Sequence, residues 1–253
     1  ASAVFWIAGG FSPGYERMFL WGTALFLEYL GPAIGFFVPG LNRSTTRDWD
    51  VEGHHLAERC GLFIIIALGE SILITGATFA EATWDASTAG AMAAALSGSI
   101  AMWWLYFNIG AERAAAKIGA SDDPGQLGRL IYTYVHLLIV GGIIVSAAAD
   151  ELVLAHPDGH VAVSTAMAVI GGPAAFLAGN LLFKRATHRF WPLSHLAGLA
   201  LLAGLGWLTA SLTPVILALS TSAILIVVAV WETRSLGMSR QPDTMSNEVN
   251  TGG

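Results

Sequence analysis

Two glutamates stand inside long apolar stretches of the sequence, where ionisable side chains are rare. Glu28 lies near the middle of the stretch 17–39, and Glu70 lies near the middle of the stretch 60–80. A charged carboxylate at the centre of a bilayer costs roughly 2.5–3.5 kcal/mol on insertion scales, so such residues usually face the interior of a helix bundle and serve a function. Because the two stretches are consecutive and antiparallel, we expect both carboxylates at a similar depth in one site.

Further oxygen atoms are expected beside each carboxylate. Pro32 has no N–H to donate to the carbonyl of Glu28, so that oxygen is expected to be free. Ser71 and Thr75 place hydroxyl groups beside Glu70. Carboxylate, carbonyl and hydroxyl oxygens at one depth suit a proton or a small hard cation. Two other interpretations stay open: each glutamate is protonated and only hydrogen-bonds helices together, or it contacts an organic ligand.

A third titratable side chain, His136, lies about two turns inside another apolar stretch, 129–149. At helical spacing it shares a face with Asp150, so an imidazole and a carboxylate would line one interior path. Histidine titrates near physiological pH, which makes His136 a candidate proton relay. The alternative, which we favour from the residues alone, is a buried neutral histidine satisfied by one hydrogen bond.

A polar cluster precedes the second apolar stretch and consists of His55, Glu58 and Arg59, with His54 beside them. His55 and Glu58 are three residues apart, so they can share a helix face. A metal site would need a further ligand, which the neighbouring sequence does not offer. We therefore expect a charge network that anchors the helix at the membrane interface, and no metal site.

The composition is that of a membrane protein. Of the 253 residues, 55% are hydrophobic and only 12% are charged, with a mean hydropathy of +0.62, whereas a soluble domain carries roughly 25% charged residues. The net charge of −6 is not concentrated in one block, so no nucleic-acid partner is expected. The single Cys60 excludes an internal disulfide and multi-cysteine metal sites. Nucleotide-binding and hydrolase fingerprints are absent, so no cofactor is expected and an enzyme is the less favoured class.

Seven apolar stretches are each long enough to cross about 30 Å of hydrocarbon as a helix. They run approximately over 17–39, 60–80, 89–110, 129–149, 161–183, 194–212 and 214–231. The stretch from Ala1 to Phe11 is apolar but about half the required length, and we interpret it as the end of a preceding helix of an N-terminally truncated chain. The predicted fold is all-α, with a polytopic transmembrane helical domain over 1–231 and a disordered cytoplasmic tail over 232–253.

Basic residues alternate across the predicted crossings. Arg17 lies alone on one side, and the other eleven fall in three loops and the tail: Arg43, Arg47, Arg59, Arg113, Lys117, Arg129, Lys184, Arg185, Arg189, Arg234 and Arg240. Loops that remain in the cytoplasm retain Arg and Lys. We therefore expect a multi-pass membrane protein, in contact with the lipid bilayer, whose C-terminus is cytoplasmic.

The run from His55 to Ser71, HLAERCGLFIIIALGES, resembles the signature of the bacterial low temperature requirement A (LtrA) family. Tyr132, Tyr134 and His136 are similar to that family in general layout. The family's acidic, Phe-rich N-terminal motif, which is similar to E-L-F-F-D-L-V-F, has no counterpart here, in agreement with a truncated N-terminus. The resemblance implies a polytopic membrane protein linked by its family name to growth in the cold, without an established substrate or mechanism.

These features together predict a transporter that is coupled to a proton or small cation and carries an unspecified small molecule. Glu70 and Glu28 would bind the ion, and His136 would be the relay. One alternative is a membrane sensor or adaptation protein that acts by conformational change and partner contact. A second alternative is a membrane-embedded lipid-modifying enzyme that uses His55 and Glu58.

Overall fold

The computed structural model describes residues 2–35, 37, 46, 52–108, 116–187 and 191–240, with side chains described as far as 235. The regular elements of these residues are helical, which confirms the predicted all-α class. The principal helices are α1 (Ser2–Phe11), α2 (Gly14–Ala33), α3 (Gly53–Glu81), α4 (Ala86–Phe107), α5 (Pro124–Ala155), α6 (Val163–Thr187), α7 (Leu193–Gly206) and α8 (Pro214–Arg240).

Five of these helices, α3, α4, α5, α6 and α8, are long and apolar enough to span a membrane. They correspond to five of the seven predicted crossings and confirm a polytopic helical bundle. The other two predicted crossings are shorter than expected, because α2 ends at Ala33 and α7 has 14 residues. At 1.5 Å per residue α7 is about 21 Å long, less than the hydrocarbon thickness of about 30 Å. The preceding α1 has ten residues.

The C-terminal helix is longer than the sequence suggested. We expected a disordered tail to begin at Glu232, but α8 continues through that residue to Arg240. Residues 241–253, which complete the predicted tail, lie outside the described part of the chain.

The bundle is built on a close approach of α5 and α6. A Cβ placed on Gly142 of α5 would lie 2.5 Å from the backbone nitrogen of Phe176, and one placed on Gly172 of α6 would lie 2.5 Å from Ser146 Oγ. Only glycine fits such distances, and small residues are what allow helix backbones to meet inside a membrane. By contrast, 28% of the 18-residue apolar segment of α3 is buried, against 44–50% of the corresponding segments of the other four long helices. α3 therefore lies at the edge of the described bundle.

Within α5 the helix widens over Leu130–Val135 into a π-helical segment. His136 follows directly, and its Nδ1 lies 3.0 Å from the carbonyl oxygen of Ile131, five residues back. π-helical turns inside α-helices are rare and are often found at functional sites. This segment determines where the titratable residues of α5 point.

Asp85 caps the N-terminus of α4, and its carboxylate accepts a hydrogen bond of 2.8 Å from the backbone N–H of Thr88. That bond lowers the pKa of Asp85 from its ordinary value of 3.8. A carboxylate with a lowered pKa stabilises the fold above its unfolded-state pKa, and the contribution is lost as the pH falls through the folded-state value.

We therefore expect Asp85→Ala to lower the thermal stability of the purified protein at pH 7, and the difference from the unmodified protein to shrink below about pH 4. Asp85→Asn keeps a side-chain oxygen acceptor but carries no charge, so at pH 7 its stability should lie between that of Asp85→Ala and that of the unmodified protein. Thermal unfolding in detergent, followed by circular dichroism at both pH values, measures the effect. A difference that stays constant with pH would show that the charge of Asp85 contributes nothing.

Candidate functional site

Glu28 does not point into the main bundle. It is exposed on α2, and Oε1 accepts a hydrogen bond of 2.9 Å from Trp6 Nε1 of α1. Pro32 lies inside α2 as expected and removes the N–H that would otherwise meet the Glu28 carbonyl. Glu28 therefore belongs to the surface that α2 shares with α1.

Glu70 is exposed on α3, on the same face as Phe63, Ile66 and Leu73, which are exposed too. Ser71 and Thr75 are buried, since they lie on the opposite face of the helix. The structure therefore separates the Glu70 carboxylate from the hydroxyl groups that were expected beside it.

The two glutamates were expected in one site because their helices follow each other in the chain. In the structure α2 packs mainly against α1, whereas α3 packs against α4 and α5. The segment 34–52 is long enough to let α2 and α3 lie apart. Adjacency in the chain was a poor guide here because a connection of this length does not require its two helices to pack together.

His136 is buried, as expected, and both of its ring nitrogens have partners. Nδ1 faces the Ile131 carbonyl at 3.0 Å, and Nε2 lies 2.7 Å from the Tyr106 hydroxyl. A carbonyl only accepts, so Nδ1 carries the proton and Nε2 accepts from the tyrosine, an assignment that follows from the network. The rings of Tyr132 and Phe183 pack around it. This geometry satisfies a neutral imidazole completely.

The polar cluster at the start of α3 is exposed. His55 Nε2 lies 3.2 Å from Glu52 Oε2, and His55 Nδ1 lies 3.9 Å from Glu58 Oε2. Arg59 is exposed in the next position of the helix. Exposed pairs of this kind contribute little to stability, about 0–1 kcal/mol. Their arrangement is that of a surface charge network.

A further polar site lies around Asp150 of α5, which is partly buried. Its side chain lines a small cavity of about 20 Å³ between α4, α5, α6 and α8. Four hydroxyl side chains line the same cavity: Ser99, Ser146, Thr221 and Ser222. Such a volume holds about one water-sized occupant. Among the described residues, no side chain donates a hydrogen bond to the Asp150 carboxylate.

Three of the four hydroxyl groups already use their protons. Ser146 donates to the Gly142 carbonyl at 2.8 Å, and Thr221 donates to the Ala218 carbonyl at 2.9 Å. Ser222 donates across the helix interface to the Ala94 carbonyl at 2.8 Å. A hydroxyl group has one proton and two lone pairs, so these oxygens can offer only lone pairs to the cavity. The lining is therefore rich in acceptors and poor in donors.

A proline of α6 also borders this cavity. Pro173 lies inside α6 and, like Val169, borders the cavity. Proline has no N–H, so position 173 supplies no hydrogen bond to the Val169 carbonyl four residues earlier. A carboxylate that shares a cavity with hydroxyl oxygens suits a hard cation, or a proton shared among oxygens.

A second buried polar cluster joins the ends of three helices. Lys184 of α6 donates to Glu232 Oε1 of α8 at 2.5 Å, and Lys184 Nζ also lies 3.2 Å from His195 Nε2 of α7. His195 Nδ1 lies 3.2 Å from Ser194 Oγ. Lys184, His195 and Glu232 are each at most 5% exposed. This Lys184 cluster (Lys184, Ser194, His195 and Glu232) ties α6, α7 and α8 together.

The members of this cluster were expected elsewhere from the sequence. Lys184 was expected in a loop and Glu232 in a disordered tail, but both are buried within helices. The available signal was the position of one ionisable residue near the predicted end of each of three consecutive crossings. Opposite charges at the ends of neighbouring helices can pair once the helices are long enough to meet.

The comparisons with known proteins give the family. Residues 1–230 match the model described as "Bacterial low temperature requirement A protein (LtrA)". The chain is 40% identical over 232 residues to a protein of Rhizobium meliloti (strain 1021) that is described as uncharacterized. The alignment covers 91% of this chain and 56% of that protein, so the chain spans about half the length of this curated relative. No solved structure matches the chain. The chain belongs to the bacterial low temperature requirement A (LtrA) protein family.

Proposed function

We propose that this chain forms part of a membrane carrier that binds a proton or a small hard cation in the cavity beside Asp150. The observation that carries the proposal is the acceptor-rich lining of that cavity, enclosed by four of the five long apolar helices. A carboxylate in a low-dielectric interior is costly unless it is protonated or paired with a cation. Its enclosure without a described donor therefore favours a bound positive species.

The predicted interior face of α5, which carries His136 and Asp150, supports the proposed ion site in part. His136 and Asp150 both belong to α5, and Ile143 between them is fully buried, so this face of the helix lies inside the bundle. Because the neutral His136 is satisfied by its two partners, we assign it a positioning role between α4 and α5. The coupling carboxylate is Asp150.

Glu70 and Glu28 have a different role in this proposal. Both are exposed on the described bundle, and a carboxylate on an apolar helix face is costly in lipid. We propose that they meet polar or protein surroundings at the edge of the bundle and do not bind the coupling ion. The distribution of Arg and Lys supports an inner-membrane carrier with its C-terminus in the cytoplasm.

The test is ion flux through the full-length protein in proteoliposomes. We expect ²²Na⁺ counterflow, or proton flux reported by an enclosed pH dye, to fall at least about tenfold in Asp150→Asn, because a hydrogen bond to a charged group contributes about 1.5–3 kcal/mol. Glu151→Gln is the matched control, since Glu151 is the next residue of α5 and is exposed. It should keep the flux of the unmodified protein.

Glu70→Gln separates the two carboxylate sites. If Asp150→Asn retains full flux while Glu70→Gln abolishes it, the ion site lies on α3 and the present assignment is wrong. If both variants and the unmodified protein give only the leak of empty liposomes, the carrier function itself is contradicted, and a sensor without transport becomes the better interpretation.

A further inference from the structure

A much larger cavity lies at the end of the bundle where α3 and α5 begin. Its volume is about 570 Å³, and α2, α3 and α5 each contribute to its walls. Volumes of about 300–1,000 Å³ are typical of small-molecule sites. It has no lining residue in common with the Asp150 cavity. A ligand here would be independent of the proposed ion site.

Two arginines line this cavity, Arg59 of α3 and Arg129 of α5. Each lies in the second turn of its helix, and both helices begin at the same end of the bundle. Arg129 Nη1 donates to the Pro32 carbonyl at the end of α2, which fixes the guanidinium at the cavity wall. Its other N–H groups have no acceptor among the described residues and can donate to a ligand. Arg59 is exposed and forms no ion pair with the described acidic residues. The cavity therefore carries two positive charges without a described counter-charge.

A buried hydroxyl group also lacks a partner at this cavity. Tyr132, which follows Arg129 by three residues, lines the cavity and is 9% exposed. Among the described residues its hydroxyl has no hydrogen-bond partner. A buried polar atom without a partner costs about 1–3 kcal/mol, so a ligand oxygen that binds it would recover that cost.

The remaining walls are largely apolar. Leu56 and Phe63 of α3 border the cavity together with Pro32 of α2, and Phe63 is 53% exposed at the bundle surface. A free phosphate would meet the arginines but would leave this apolar surface uncovered. A ligand with an anionic head and an apolar chain fits both parts of the site.

We propose that this cavity binds an anionic phospholipid. Arg59 and Arg129 bind the headgroup phosphate, Tyr132 donates to one of its oxygens, and the beginning of an acyl chain packs on Leu56 and Phe63. Arginine suits this role because its N–H groups match the geometry of phosphate oxygens. The cavity would then hold one specific lipid that joins α2 to the rest of the bundle.

The experiment compares lipid binding by native mass spectrometry of the full-length protein released from mild detergent. The probes are phosphatidylglycerol, phosphatidylcholine and inorganic phosphate. We expect one tightly bound phosphatidylglycerol and weaker binding of phosphatidylcholine. Arg59→Gln should weaken phosphatidylglycerol binding about fivefold, and Arg59→Gln with Arg129→Gln about 25-fold, because each arginine near anionic lipid contributes about 1 kcal/mol.

Arg185→Gln is the control, since Arg185 packs over the ring of Trp191 away from the cavity. It should leave phosphatidylglycerol binding unchanged. Arg59→Gln alone keeps the test valid if loss of the Arg129 contact with α2 impairs folding. Equal binding of phosphatidylcholine, equal weakening by Arg185→Gln, or full displacement of the lipid by inorganic phosphate would each overturn the proposal.

Discussion

Replacing Lys184 by Met is expected to destabilise the protein by about 3–5 kcal/mol, because Glu232 then becomes an unpaired buried carboxylate. Lys184 donates to Glu232 Oε1, and Oε2 of the same carboxylate is buried and has no hydrogen-bond partner among the described residues. His195 cannot fully take over, since its Nε2 lies 4.0 Å from Oε2. The measurement is unfolding of the purified protein in a titration of denaturing against mild detergent.

A double variant tests whether the loss of stability comes from leaving one buried charge unpaired. Lys184→Met with Glu232→Leu removes both charges and fills the space with apolar side chains, and such exchanges are often neutral or stabilising. We therefore expect the double variant to recover most of the stability lost in Lys184→Met. If Lys184→Met alone unfolds at the same detergent fraction as the unmodified protein, the charge pair does not hold the three helix ends together.

Gly142→Ala is the second substitution with a large expected effect. The added Cβ would lie 2.5 Å from the backbone nitrogen of Phe176 and 2.8 Å from both Phe176 Cα and the Gly172 carbonyl oxygen. These are backbone atoms of α6, which cannot rotate away as a side-chain tip can. Overpacking of this kind typically costs about 1–3 kcal/mol and occasionally more. The same unfolding titration measures the loss.

The neighbouring glycine is the matched control. A Cβ on Gly141 would meet no described atom within 4 Å apart from its chain neighbours and the nearby backbone of its own helix. Ala favours a helix interior over Gly by up to about 1 kcal/mol. Gly141→Ala should therefore be neutral or stabilising. Gly142→Ala should also reduce ion binding beside Asp150, because Ser146 of that cavity donates to the Gly142 carbonyl. Equal stability of the two variants would contradict the close approach of α5 and α6.

The five long crossings were predictable because hydropathy and length alone identify a helix that can span a membrane. The interior face with His136 and Asp150 was also predictable, since helical spacing decides which residues share a face. Neither result requires knowledge of which helices are neighbours.

The positions of Glu28 and Glu70 were not predictable in that way. A carboxylate in an apolar stretch costs free energy inside a membrane, and the sequence shows that much. Whether the carboxylate faces the bundle interior depends on which helices pack against its own. α3 has a buried face with Ser71 and Thr75 and an exposed face with Glu70, and its average hydropathy does not distinguish them. The Lys184 cluster was not predicted for a related reason. Its members come from different helices and meet only through tertiary packing.

The π-helical segment of α5 has a consequence for comparing related sequences. A π turn accommodates one residue more than an α turn, so the part of α5 before Leu130 is rotated by about 100° relative to a continuous α-helical wheel drawn from His136 onward. A homologue that lacks one residue between 130 and 135 would therefore present a different side of the helix at the level of Arg129, even with every other residue of α5 identical. A single-residue gap at that place would therefore change the orientation of the first turns of α5, Pro124–Arg129. An alignment that placed the gap elsewhere would pair residues that point in different directions.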